Sequence, residues 1–149
     1  METILIGSDH AGFPLKIFLK GYLERQGLSV VDVGCESKES CDYPDYAREV
    51  CRRIMHGEAS RGILICGTGL GMCMAANRFP GIRAALCTTE FHAKMGRAHN
   101  DSNVLALGGR VTGEELALSI LKTWLETGFE GGRHQRRIDL IDAVDRSKS

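Results

Sequence analysis

The chain has 149 residues, 43% of them hydrophobic, and its 19 basic and 19 acidic side chains balance to zero. That length suits one domain over residues 1–149 with a proper apolar core, and the neutral balance gives no reason to expect nucleic acid or a membrane surface as partner. The start, METILIGSDH, brings a charge and polar residues too early for a signal peptide, and no long apolar run follows, so a cytoplasmic protein is expected.

Five short apolar runs alternate with amphipathic stretches. Residues 3–8 (TILIGS) form the first run; Leu15, Phe18, Leu19 and Tyr22 then recur at helical spacing, with Pro14 in the first turn. The second run, 29–33 (SVVDV), precedes a helix carrying Ala47, Val50, Cys51 and Ile54 after Pro44. The third, 62–66 (GILIC), opens into a glycine-rich turn, with a helix expected from about Leu70. The fourth, 82–86 (IRAAL), is followed by a shorter helix marked by Phe91, Met95 and Ala98. After the fifth, 103–107 (NVLAL), Thr112 and Glu115 are spaced as a capping box ahead of Leu116, Ile120, Leu121 and Trp124. A last helix over about 133–146 carries Ile138, Ile141 and Val144.

Continuous apolar runs of this length suit parallel strands buried on both faces. The alternation predicts an α/β fold: a three-layer αβα sandwich around a five-stranded parallel, Rossmann-like sheet, with an added C-terminal helix. Ligands in such sheets bind beyond the carboxyl ends of the strands, which directs attention to the residues after positions 7, 33, 66, 86 and 107.

Asp9 and His10 follow the first strand. An aspartate there can bond sugar hydroxyls or help move a proton, and equally can start a turn or cap a helix; the histidine can be acid, base or phosphate donor. Cys66 ends the third strand in ILICGTGLG, beside Gly67, Gly69 and Gly71. Glycines permit unusual backbone angles and bring main-chain N–H groups close to an anion, and a helix N-terminus favours a nearby thiolate. Cys66 is therefore either a small buried residue or a base beside an amide cradle. Met72 stands where a dinucleotide fingerprint needs its third glycine and where a C-x5-R phosphatase needs its arginine, and no Gly-Lys-Ser/Thr follows. The six cysteines, at 35, 41, 51, 66, 73 and 87, show neither a Cys-x-x-Cys pair nor zinc spacing, so free thiols and no metal are expected.

His99, Asn100 and Asp101 precede the fifth strand and Arg110 follows it; His99 alone would read as a helix-ending residue, but the run is more polar than a turn requires. In EGGRHQRR, Arg133 and Arg137 share a helical face, with His134 between them. Basic residues oppose the dipole at a helix start, and a bound phosphate would offset that cost.

Together GSDHAG, DYPDYA, GILICGTGLG, AANRFPGIRAAL, HNDSNVLALGGR and FEGGRHQRR resemble the B-type ribose-5-phosphate isomerases and their galactose-6-phosphate isomerase cousins over almost the whole chain. The resemblance implies interconversion of an aldose phosphate and a ketose phosphate through a cis-enediolate, without metal or organic cofactor. It implies Cys66 as the base, with Thr68 beside it and the amides of Gly67 through Gly71 stabilising the enediolate oxygens. It implies His99 with Asp9 as the pair that opens the furanose ring, and Tyr43 and Asn100 as sugar contacts. His10, Arg110, Arg133, His134 and Arg137 match phosphate-binding positions. Part of the family carries a glutamate base at the position of Met72; this chain therefore falls in the cysteine branch. Cys73 stands where relatives often have a small polar residue, and reads as packing. A homodimer or homotetramer with sites shared between subunits is implied, with a small sugar phosphate as the ligand. The alternatives are a hexose-6-phosphate (allose or galactose) isomerase and a non-catalytic sugar-phosphate-binding or nucleotide-binding regulator, which would need the arginines but not Cys66 or His99.

Overall fold

The structure is a computed structural model and describes residues 2–144. Its strands are β1 (Thr3–Ser8), β2 (Ser29–Asp32), β3 (Arg61–Cys66), β4 (Ala84–Leu86) and β5 (Val104–Gly108). Its helices are α1 (Phe13–Arg25), α2 (Tyr43–Met55), α3 (Leu70–Ala76), α4 (Glu90–Ala98), α5 (Glu114–Glu126) and α6 (Arg133–Asp142). All strand pairs are parallel, in the order β2-β1-β3-β5-β4. The expected five-stranded αβα sandwich is thus the observed fold, with β5 inserted between β3 and β4.

The three inner strands have no polar face. Ile4, Leu5, Ile6, Ile63, Leu64, Ile65 and Val104 through Leu107 are buried, because helices cover both sides. Ile4, Ile6, Ile63, Ile65, Leu105 and Leu107 pack with Leu15 and Leu19 of α1, Ala93 of α4 and Ile120 and Trp124 of α5. On the other side Leu5, Leu64 and Val104 pack with Val50 and Cys51 of α2 and Met72 and Ala76 of α3. The chain leaves β1 toward the β2 edge and returns to the other side of β1 for β3. In such sheets that reversal is where a crevice opens, at the C-terminal ends of β1 and β3.

Lys16, Trp124 and Arg61 all have partners for their polar atoms in this frame. The Lys16 ammonium, from a side chain only 1% exposed, reaches Asp32 Oδ1 at 2.8 Å and the backbone oxygen of Cys35. The Trp124 indole N–H donates to Ser102 Oγ at 2.8 Å. Arg61 lies over the Trp124 ring at 5.1 Å and pairs with Glu2 at 2.6 Å.

Several local expectations need correction. Thr112 does not cap α5: it is buried with its N–H tied to Gly108 O at 2.9 Å, and Gly113 opens the helix without a side-chain cap. The buried face of α4 is Ala93, Gly96 and Ala98, whereas Phe91 is 68% exposed. Small residues let α4 approach closely; a Cβ on Gly96 would sit 3.3 Å from Ala85 Cβ. β4 is shorter than its apolar run because the Arg83 N–H is taken by Asn103 Oδ1 at 2.8 Å. Ile138 is buried, but Ile141 and Val144 are exposed. The last helix ends at Asp142, and residues 145 and 146 of the expected span lie outside the described residues. No helix among the described residues is long and apolar enough to cross a membrane.

The Glu2 and Asp32 carboxyls lie below their usual values of 4.5 and 3.8. For Glu2 the chief cause is the hydrogen bonding from Arg61. For Asp32, burial pushes upward and is outweighed by hydrogen bonds from Lys16 and the Gly34 N–H together with the Lys16 charge. A lowered carboxyl contributes stability that is present above its unfolded value and is lost as pH falls through its folded one. The stability gap between the wild type and Glu2→Gln or Asp32→Asn, open at pH 7, will therefore close as the pH falls below 4.5 and 3.8 respectively, as read from urea melts.

Candidate active site

The crevice between β1 and β3 collects one set of the expected residues. The Asp9 N–H donates to Ile65 O at 3.2 Å, which places Asp9 beside the end of β3. Its carboxylate accepts the Gly12 N–H at 3.0 Å, so Asp9 also fastens the turn into α1. Cys66, 5% exposed, accepts the Gly69 N–H on its sulfur at 3.2 Å. Gly69 has φ +83°, and a Cβ there would lie 2.5 Å from Leu86 Cδ1 and 2.9 Å from the Leu107 carbonyl carbon. Only glycine can fold the loop back onto the thiol in this way.

The rest of the loop is held from three sides. The Gly109 N–H donates to Cys66 O at 2.8 Å and the Arg110 N–H to Gly67 O at 2.9 Å. The Arg110 side chain lies along the loop, with Cδ and Nη1 3.6 Å from where a Gly67 Cβ would stand. The Tyr43 ring covers Gly71, 2.6 Å from its absent Cβ. Thr68 is exposed, and its Oγ1 accepts the Leu70 N–H at 3.2 Å. Two amides of the expected cradle are thus engaged, one on the sulfur and one on a hydroxyl. His10 Nδ1 accepts the Cys41 N–H at 3.2 Å, which puts the neutral ring's proton on Nε2, where it can be donated. A thiol receiving an N–H bond, an arginine over a glycine loop and an imidazole donor can take a proton from carbon and hold an anion.

His99, Asn100, Arg133, His134 and Arg137 lie elsewhere. A helix between parallel strands runs back to the N-terminal edge of the sheet, and His99 is the last residue of that return, capping α4. Arg83, just before β4, marks the same edge: it donates to Asn100 O at 3.0 Å and lies 3.7 Å from Asp142 Oδ2. A six-residue strand such as β3 spans roughly 17 Å. Within one chain Cys66 and His99 therefore do not meet.

At this second edge the His99 and His134 rings stack, with centroids 4.1 Å apart and planes 11° from parallel. Glu130 Oε1 stands 3.5 Å from His134 Nε2 and 3.9 Å from His99 Nε2. Arg133 and Arg137 are exposed, but His134 is 6% exposed and its buried Nε2 makes no hydrogen bond. Burial, then the charges of His99 and Arg133, hold the His134 imidazole below its usual 6.5. The ligand atoms of His99, Glu130 and His134 lie within 4.8 Å of one another. Near-parallel rings, however, send their in-plane lone pairs side by side rather than toward one ion. Asp101 has a structural explanation: φ 47° turns the chain after α4, and its carboxylate pairs with Arg97 at 2.9 Å and Arg83 at 3.5 Å.

Met72 is wholly buried in the α2–α3 core. Cys73 points its thiol at Ala84 O, 3.5 Å away, in keeping with packing. Burial pushes the Cys51 and Cys87 thiols up to about 12. Sequence reasoning passed over Glu130, although an acid four residues before His134 was a readable signal. The Cys41 amide on His10 had no such signal, since any residue carries that N–H.

The family model for ribose/galactose isomerases matches residues 4–141. Ribose-5-phosphate isomerase B of Escherichia coli is 47% identical, over the whole of both chains. The solved ribose-5-phosphate isomerase B of Clostridium thermocellum is 50% identical and superposes with a TM-score of 0.96 over 99% of each chain. A solved ribose 5-phosphate isomerase of Thermotoga maritima is 55% identical, with a TM-score of 0.94 over 96% of this chain and 99% of that one.

Gly69→Ala will lower stability by about 2 kcal/mol or more, because a left-handed residue costs about 1–2 kcal/mol and the added methyl meets Leu86 and Leu107. A fall in the urea midpoint at unchanged slope checks it.

Proposed function

The chain belongs to the ribose/galactose isomerase family and is an isomerase, and on that premise we propose that it interconverts ribose 5-phosphate and ribulose 5-phosphate through a cis-enediolate. The observation that carries the reading is the Cys66 sulfur in the β1–β3 crevice, partnered by the Gly69 N–H and set beside Asp9. Aldose and ketose are isomers, so hydrogen only moves within the substrate. His99 with Asp9 opens the furanose ring. Cys66 takes the proton from C2 and returns it to C1, while the hydroxyl proton on O2 passes to O1. Thr68 and the loop amides of Gly67 through Gly71 that do not serve the sulfur stabilise the oxygen charge that builds between those steps. Tyr43 and Asn100 contact the sugar, and His10, Arg110, Arg133 and Arg137 hold the phosphate.

This mechanism needs two chains. One copy supplies the Cys66 crevice and another the His99 edge, so the working unit is a homodimer or homotetramer with shared sites. Two observations support that: the opposite-edge placement of the two residue sets, and α6, whose Leu140 and Ile141 are 61% and 56% exposed. Six free thiols suit a reducing, cytoplasmic setting.

The reading is tested by turnover of ribose 5-phosphate, allose 6-phosphate and galactose 6-phosphate, with the first preferred. Cys66→Ala will lower kcat by about 1,000-fold or more while phosphate still binds; wild-type turnover in that variant removes Cys66 as the base. Arg137→Ala will chiefly raise KM. Cys66→Ala and His99→Ala proteins, each inactive alone, will regain up to about a quarter of wild-type activity when unfolded and refolded together, since half the dimers are then mixed and each has one intact site. No recovery would mean that each chain completes its own site.

A further inference from the structure

His134 was expected beside Arg133 and Arg137 on the substrate phosphate, yet it differs from them in burial and in contacts. The arginines are exposed, whereas His134 is 6% exposed. Its Nε2 is buried, makes no hydrogen bond, and faces Glu130 Oε1 at 3.5 Å rather than solvent. Its ring lies flat on that of His99, 4.1 Å away. Glu130 is itself fixed to the same helix end, because its N–H donates to Ala98 O at 3.0 Å, one residue before His99. Gly131 and Gly132, at φ 69° and 57°, then turn the chain so that His134 comes back over His99.

We propose that His134 and Glu130 are positioning residues for His99 in sugar-ring opening, and that His134 is not a phosphate ligand. The inference rests on the isomerase reading above. In the opening step His99 gives a proton to the ring oxygen O4 as the C1–O4 bond breaks. The C1 hydroxyl loses its proton to Asp9 of the other copy, and its electrons form the aldehyde; the sugar gains one proton and loses one. For that step the imidazole must hold one plane and one edge toward the substrate. The His134 face fixes the plane. The Glu130 carboxylate, 3.9 Å from His99 Nε2, faces the ring when it carries charge. Burial and the charges of His99, Arg133 and Arg137 disfavour a proton on His134, Glu130 favours one, and the balance holds the imidazole below its ordinary value.

The test compares His134→Ala, His134→Phe, Glu130→Gln and Arg137→Ala with the wild type. Ribose 5-phosphate is the substrate and inorganic phosphate the competitive inhibitor. His134→Ala and Glu130→Gln are expected to lower kcat about 10-fold while the phosphate inhibition constant stays within about 2-fold of wild type. His134→Phe, which keeps a flat ring but offers phosphate nothing, is expected to restore most of the turnover lost in His134→Ala. Arg137→Ala is expected to raise the phosphate inhibition constant. The proposal is overturned if His134→Phe weakens phosphate as Arg137→Ala does, or if His134→Ala and Glu130→Gln leave kcat at the wild-type value. A wild type with no ribose 5-phosphate turnover would fail the isomerase reading itself, before any variant is compared, and this proposal would fall with it.

Discussion

A parallel sheet has a direction, and the division of the candidate site residues between its two ends follows from it. Strands all end at one edge, so residues that follow a strand gather there: Asp9 and His10 after β1, Cys66 and its glycine loop after β3, Arg110 after β5. Helices must return to the opposite edge before the next strand begins, so residues that end a helix gather there instead, as His99 does. The two groups are complementary in chemistry and separated by the thickness of the core. A buried apolar sheet cannot bend to bring its edges together, which is why the proposed mechanism draws on a second copy.

At the first edge, close backbone approach matters more than side-chain variety. Gly69 lets the loop double back so that an amide meets the sulfur, and Gly108 lies so near Thr68 that a Cβ there would stand 2.6 Å from its carbonyl carbon. The loop is thereby clamped between β3 and β5. At the second edge side chains meet instead: the His99 and His134 rings stack, with the Glu130 carboxylate beside them. One end of the molecule is a rigid backbone cradle and the other a side-chain cluster on helix ends.

The strands were readable because burial on both faces leaves little choice but Ile, Leu, Val and Ala, and each run ends where the chain must turn. Helix faces were less readable. Phe91 looked like a core residue of α4, but the helix packs through Ala93, Gly96 and Ala98, whose small size conveys closeness rather than hydrophobic periodicity. Thr112 and Glu115 had capping-box spacing, and a backbone turn closed by Gly108 drew Thr112 inward instead. The Cys73 thiol lies 3.5 Å from the Ala84 carbonyl of β4. The strand order β2-β1-β3-β5-β4 was outside the reach of the letters, because β4 and β5 are both short apolar runs with no mark of which lies outermost.

The sequence by itself determined the α/β class, the position of Cys66 at a strand end, and the motifs whose order and spacing carry the family resemblance. These are local properties: period, turn chemistry and the order of residue types along the chain. Only the tertiary structure decided that Cys66 and His99 stand at opposite edges, that the Gly69 amide serves the sulfur, and that His134 turns inward onto His99 while its arginine neighbours stay exposed. Each of those depends on where distant segments come to rest against one another, and no neighbouring letters record it.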